Sequence, residues 1–251
     1  MLIVSDVHDA FEALEAVASS GETLLVLGDL VNLIDYRTLE GILPDVVGRD
    51  VVAALASLRQ ANQAGLARDM WVERVASLGI DVGSHVATRM ERQYRRMHGV
   101  LDGIDAYVTF GNADDPGLLA DNLPASARFV DGEVVVIEGW SVGFAGGGIP
   151  KVGSSGEVSH DDMRRKLSDL GPVDVLCTHV PPDLTMLAED VISGSSKASG
   201  PVLDYIDEHQ PRFHFFGDVH QPRAVSMVRG ATVCRNVGYF RATGRAWEFV
   251  R

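Results

Sequence analysis

Cysteine is nearly absent from this chain: Cys177 and Cys234 are the two in 251 residues. Two cysteines make no disulfide framework, so a reducing cytoplasm is the expected setting. No apolar run approaches the ~20 residues of a membrane helix, and no membrane span is expected. The start, Met1-Leu-Ile-Val-Ser, has neither a basic n-region nor a small-residue cleavage site, so no signal peptide is expected either. Basic residues are also scarce. The 22 Lys and Arg face 35 Asp and Glu, for a formal net charge of −13. A duplex-binding protein needs a basic footprint, which argues against general nucleic-acid binding. A field of that sign also repels phosphorylated substrates unless bound cations reverse it locally. What remains is ordinary for a globular chain: 46% hydrophobic and 23% charged residues exclude a disordered one.

The opening reads as a βαβ unit. Leu2–Ser5 is a short apolar strand; Phe11, Leu14, Val17 and Ala18 then recur at helical spacing until Gly21. Thr23–Leu27 is a continuous apolar run, the mark of a strand buried on both faces. Parallel strands joined by a helix belong to an α/β architecture, whose chemistry sits beyond the carboxyl ends of the strands. The next comparable strand is Ala106–Phe110. Between them, Val51–Ala67, Met70–Leu78 and Val86–Leu101 carry helical patterns, and residues 35–105 read as a helical insertion. It holds ten acidic residues and nine basic ones, all Arg, so it is near neutral while the remaining body carries −12.

Short strands follow residue 125. Glu133–Ile137 and Ser141–Ala145 read as a hairpin with Glu138-Gly139-Trp140 at its turn, and Gly146–Pro150 as a loop. Met163–Leu170 is expected to be a helix and Val173–Thr178 a strand. Ser193–Gly200 reads as a flexible loop before a helix with Pro201 in its first turn. Phe213–Phe216, Ala224–Val228, Ala231–Arg235 and Ala246–Val250 complete the strands.

Five polar clusters fall where predicted strands end: Asp6-Val-His8, Gly28-Asp29, Gly111-Asn112-Ala113-Asp114, Thr178-His179-Val-Pro-Pro182 and Gly217-Asp218-Val-His220. Singly, each has a bland reading as a cap, a turn or a surface His. Gathered at one sheet edge, they offer Asp6, His8, Asp29, Asn112, His179, Asp218 and His220. That is too many donors for one ion and suits two divalent cations sharing a carboxylate. Such a pair lowers the pKa of a water between the ions to ~7 and neutralises charge on phosphoryl oxygens. Asp115 with Pro116 fits a helix N-cap and first position, leaving Asp114 to orient a ligand.

The ordered series Asp-x-His, Gly-Asp, Gly-Asn-x-Asp, His-x-Pro-Pro and Gly-x-x-His resembles the calcineurin-like metallophosphoesterase superfamily, over residues 1–34 and 106 to about 240. The resemblance implies a four-layer α/β/β/α sandwich of two mixed sheets, here with the helical insertion. It also implies a metal-dependent phosphoesterase in which a metal-bridging hydroxide attacks a phosphate diester or monoester. By position, Asp6, His8, Asp29 and His220 would hold the first metal. Asp29 would bridge to the second, which Asn112, His179 and Asp218 would complete; Asp29, Asn112 and Asp114 are the expected catalytic residues.

Two positions depart from the pattern. Ala113 stands where many members carry the His that protonates the leaving group, a contribution of ~10²–10⁴-fold; this favours diesters or better leaving groups. Asp218 replaces a His, making the second site harder and shifting the expected metal toward Mn²⁺ or Fe, with Zn²⁺ and Mg²⁺ as alternatives. A second reading of Asp218 keeps it outside the ligand set, orienting His220. The insertion adds Arg89, Arg92 and Arg96 on one helix stripe. They form a phosphate-recognition face, a salt-bridged interface or a solvated face. His85 and His98 are candidates to replace the missing acid, and Lys197 and the Gly146–Gly148 loop to touch substrate phosphate. The expected partner is a small phosphorylated substrate, and the insertion is a candidate surface for homo-oligomers. A rival class is a catalytically weak or inactive scaffold acting through protein contacts, for which Ala113, Asp218 and a helical docking arm would be the marks.

Overall fold

The computed structural model describes residues 1–61 and 63–250. In chain order, β1 (Leu2–Val4), α1 (Phe11–Ala18) and β2 (Leu24–Leu27) form the opening unit, with β1 and β2 parallel. The helical segment comprises α2 (Ile42–Val47), α3 (Arg49–Gln60), α4 (Ala64–Leu78) and α5 (Val82–Leu101). Then come β3 (Ala106–Thr109), α6 (Pro116–Asp121), β4 (Ala127–Phe129), β5 (Glu133–Ile137), β6 (Trp140–Ala145), α7 (His160–Leu170) and β7 (Val175–Thr178). The chain continues through α8 (Thr185–Ala188), α9 (Gly200–His209), β8 (Phe213–Phe216), β9 (Ser226–Arg229), β10 (Thr232–Asn236), α10 (Phe240–Thr243) and β11 (Trp247–Glu248).

The strands form two sheets. The first has the order β11-β1-β2-β3-β4 and the second β5-β6-β7-β8-β10-β9. Each is mixed: β11 runs antiparallel to β1, β5 to β6 and β9 to β10, around parallel centres. Alternation along the strands explains the layering, because successive side chains point to opposite faces. Ile3, Leu25 and Leu27 meet Val142, Phe144, Cys177 and Phe215 between the sheets. Their neighbours Val4, Leu24 and Val26 face the other way, onto Phe11 and Leu14 of α1 and Met90, Tyr94, Met97 and Leu101 of α5. On the far side, Ala145, Leu176 and Phe216 pack under Met163 and Leu167 of α7 and Val202 and Ile206 of α9. The result is an α/β/β/α sandwich.

Two sequence expectations shift, and the helical segment packs in two parts. Its last helix, α5, is an outer layer of the first sheet, with Tyr94, Met97 and Leu101 fully buried. The others, α2 to α4, gather around a smaller cluster of Val47, Val52 and Val82 of α5, and α2 also sends Ile42 into the core of the first sheet. The run Val51–Ala67 is two helices, since α3 ends at Gln60 and α4 starts at Ala64. Finally, the hairpin turn is Glu138-Gly139 alone, with φ of 50° and 83°. Positive φ at both central residues makes a two-residue turn of the kind that matches strand twist, so Trp140 belongs to β6.

Candidate metal centre

Every expected donor follows the carboxyl end of a strand in the parallel centre of a sheet: Asp6 and His8 after β1, Asp29 after β2, Asn112 after β3, His179 after β7, Asp218 and His220 after β8. The two sheets present these ends on the same side, and the side chains converge. Asp6, Asp29, His179 and Asp218 are buried, as is His8, while His220 is half-buried.

The backbone is distorted to achieve this. Asp6, His8, Asp29 and Asp218 have φ of 58°, 43°, 53° and 61°. Left-handed geometry disfavours any residue with a Cβ, so four such donors mark a site where strain serves placement. Close approach fixes the neighbouring glycines. A Cβ on Gly111 would overlap Asp29 Oδ1 and the His179 ring, and one on Gly217 would overlap Ser5 Oγ and Asp6 Oδ2.

Two imidazoles are held from behind. His8 Nδ1 lies 3.2 Å from the Val31 carbonyl and His179 Nδ1 2.8 Å from that of Leu27. Donation from Nδ1 leaves the Nε2 lone pair facing inward, the arrangement of a metal-binding histidine. Both Nε2 atoms, with Asp218 Oδ2, are buried and lack any hydrogen-bond partner among the described residues. Orphaned polar atoms of this kind are costly unless something polar meets them.

Asp29 stands between the two imidazoles. Its Oδ2 is 3.5 Å from His8 Nε2, and its Oδ1 is 3.5 Å from His179 Nε2. Asp6 Oδ1 is 3.3 Å from His220 Nε2 and 3.9 Å from His8 Nε2. Asp218 Oδ1 is 3.8 Å from His179 Nε2. Asn112 completes the ring. Turned one way, its amide nitrogen donates to Asp218 Oδ1 at 3.0 Å. Turned the other way, its oxygen faces that carboxylate, and two acceptors so close require a shared cation. The geometry thus groups Asp6, His8 and His220 on one side and Asp6, Asp29 and His179 on the other, each set with ligand atoms within 4.8 Å of one another. Carboxylate, imidazole and amide oxygen fit divalent ions of intermediate hardness.

The electrostatics follow from crowding. Burial alone would raise Asp6, but the hydrogen bond from His220 and the charges of His220, His179 and His8 hold its carboxyl below the usual range. Burial alone would lower His179, but Asp29, Asp218 and Asp6 push it up to about 9. Burial prevails at His8, which is lowered.

Asp114 plays a different part from the one its motif suggests. Its Oδ1 accepts from Leu30 N, Val31 N and the Tyr94 hydroxyl at 3.0, 3.3 and 3.1 Å, and its Oδ2 from Gly111 N at 2.9 Å. It fastens the loop after Asp29 to the loop before Asn112 and positions both. Asp115 caps α6 through Leu118 N at 3.0 Å. Ala113 is buried in the core, and its N–H donates to Asp29 Oδ1 at 2.8 Å.

The arginine stripe divides. Arg96 pairs with Asp9 at 2.6 Å and Glu12 at 3.0 Å, so its guanidinium ties α5 to the start of α1 instead of facing a substrate. Arg89 and Arg92 form no ion pair among the described residues. His98 Nδ1 lies 3.0 Å from the Asn122 carbonyl beyond α6, and His85 is exposed on α5, so neither joins the donor cluster. Lys197 does reach the centre, donating to Asp218 Oδ1 at 2.5 Å.

Sequence reasoning missed the support of His220. The Tyr239 ring lies flat against it, 3.8 Å between centroids and 3° from parallel, and Arg241 Nη1 donates to the His8 carbonyl at 2.5 Å. Both residues come from the turn around α10, which no strand-end motif marks.

Residues 1–222 match the calcineurin-like phosphoesterase family. The chain belongs to it. The family match runs through α2 to α5, which the motifs alone left uncovered. A solved crystal structure superposes with a TM-score of 0.60 at 15% identity, covering 95% of this chain and 90% of that one, a likeness of fold. No curated protein matches the sequence. Calcineurin-like phosphoesterases are dinuclear and metal-dependent, so this chain is in general terms a metal-dependent phosphoesterase with candidate ligands in place. Among the described residues no helix is long and apolar enough to cross a membrane.

Proposed function

We propose that the chain hydrolyses a phosphate diester in preference to a monoester, with two divalent ions held at the strand ends. Asp6, His8, Asp29 and His220 hold one ion and Asp29, Asn112, His179 and Asp218 the other. When bound, the pair supplies hydroxide at neutral pH and neutralises charge on the phosphoryl oxygens. The observation that carries this reading is Asp29, whose two oxygens face His8 and His179 separately at 3.5 Å each.

The protein's own part is placement. Backbone carbonyls fix the imidazoles, Asp114 clamps the two loops, and Tyr239 backs His220. Ala113 argues for diesters. Its methyl is packed in the core, so the position offers no proton to a poor leaving group. The carboxylate at 218 favours Mn²⁺ or Fe over Zn²⁺ or Mg²⁺.

The test is hydrolysis of bis-p-nitrophenyl phosphate and p-nitrophenyl phosphate with added Mn²⁺. The expected result is faster turnover of the diester, lost by roughly 10³-fold or more in Asp29→Asn with the fold intact, as for residues that act as one catalytic unit. A scaffold would show no turnover in either protein.

A further inference from the structure

Lys197 touches the candidate centre at its most contested atom. Asp218 Oδ1 accepts from the Lys197 ammonium at 2.5 Å. The same oxygen lies 3.8 Å from His179 Nε2 and 3.0 Å from the Asn112 amide. Three groups assigned to the second ion thus surround a point already faced by a positive charge.

The placement is built into the chain. Lys197 N donates to the Ala188 carbonyl at 3.0 Å, and Ser199 N to that of Pro181 at 3.1 Å. Bridges pair Glu189 with Ser196 and Pro182 with Ser199. The loop is therefore laced to the segment that carries His179, and the Lys197 stem is directed inward with its side chain 23% exposed. A second cation sits near. Burial and the charge of Lys197 lower Lys151, which comes from the loop after β6.

Charge balance gives the ammonium a purpose. Once metal ligation has taken the protons from the imidazoles, Asp6, Asp29 and Asp218 carry three negative charges, and one divalent ion plus one ammonium cancels them. A second divalent ion adds positive charge beside Lys197 with no carboxylate left to offset it. The residue type suits exchange. The chain has three lysines against nineteen arginines. At this position stands the compact charge on a flexible stem, not the planar guanidinium that would lock onto a carboxylate through two bonds.

We propose that Lys197 is a tethered cation that guards the second metal position. It stays on Asp218 while the first ion binds, and must withdraw before a second enters. The inference rests on the metal-centre reading above and adds an order of filling to it.

The probe is Mn²⁺ alone, titrated into the full-length metal-free protein and followed by calorimetry and electron paramagnetic resonance. Wild type is expected to bind two ions in unequal steps, with isolated-ion spectra at one equivalent and spin-coupled pairs only beyond it. In Lys197→Met, which keeps the aliphatic stem, the second step should tighten about tenfold or more, within the usual range for coupling between two ligands. The first step should stay within about twofold, below the range of such coupling. A second step that is unchanged or weakened in the variant overturns the role of Lys197 and leaves the metal centre standing. Wild type that binds no Mn²⁺ overturns both. A measurement on wild type alone provides the control for folding: modification of Lys197 by an amine-reactive reagent should rise as the second equivalent binds. Labelling that stays level or falls contradicts the proposal.

Discussion

Individual residues at this centre are placed by what stands behind them. His8 and His179 each turn Nε2 into the cluster because a backbone carbonyl occupies Nδ1, and Asp29 faces both imidazoles, one with each carboxylate oxygen. His214 shows the opposite case, a buried imidazole outside the site. Its Nε2 lies 2.8 Å from Thr178 Oγ1, whose hydroxyl donates to the Val180 carbonyl. Burial drives its pKa down to about 3 from the ordinary 6.5. The folded pKa is below the unfolded one, so the unfolded chain takes up the proton first as pH falls. The stability that neutral His214 contributes is whole above about pH 6.5 and is lost toward pH 3, at up to ~1.4 kcal/mol per pH unit. Urea unfolding of metal-free protein at pH 7 and pH 5 should show a larger loss for wild type than for His214→Gln. Equal losses would mean that this imidazole does not titrate with folding.

At the scale of elements, the notable one is α5. Its apolar positions Met90, Met97 and Leu101 declared a buried face in the sequence, but periodicity does not say which surface receives it. The receiver is the first sheet with α1, and through Tyr94 the helix reaches the site's own scaffolding. The hydroxyl of Tyr94 donates to Asp114 Oδ1 at 3.1 Å and accepts from Asp115 N at 3.0 Å. Tyr94→Phe should therefore destabilise by about 1–3 kcal/mol, because Asp115 N–H loses its partner and Asp114 a donor. Chemical denaturation measures this, and a change below ~0.5 kcal/mol, the range of surface substitutions, would show that α5 does not brace the loops. Removing the Arg96 pair should matter less, since exposed ion pairs give ~0–1 kcal/mol.

The strand-end donors were legible because each lies in the few residues after an apolar run, so local pattern locates them and sheet geometry collects them. Asp115 as a cap follows from such a local rule, whereas Asp29 as a shared carboxylate was implied by the family resemblance. Tyr239 and Arg241 were not legible as parts of the centre, and Lys197 was legible only as a candidate for substrate phosphate, not as a partner of Asp218. They reach it across the fold from segments with no periodic signal, and only tertiary contact shows what they touch. The same limit applies to Asp114, whose motif suggested work on a ligand while its four hydrogen bonds go to the protein's own loops and to Tyr94. The turn at Glu138-Gly139 was misplaced by one residue because Trp140 fits a strand or a turn equally well until its pairing with Ile137 is seen.

Across the whole molecule, two mixed sheets bring residues from both ends of the chain to one edge. The Asp6 carboxylate accepts from the N–H of Asp218 at 3.0 Å across a separation of 212 residues. A body carrying nearly all of a net charge of −13 thereby concentrates three carboxylates where a phosphate ester must approach. Cations make that approach favourable, and the central claim is that two of them sit on either side of Asp29. Diffraction at the manganese absorption edge, from crystals equilibrated with saturating Mn²⁺, tests it most directly. The account predicts two anomalous peaks, one among Asp6, His8 and His220 and one among Asn112, His179 and Asp218, with Asp29 touching both. No peak at these strand ends, or one ion held away from Asp29, would contradict it.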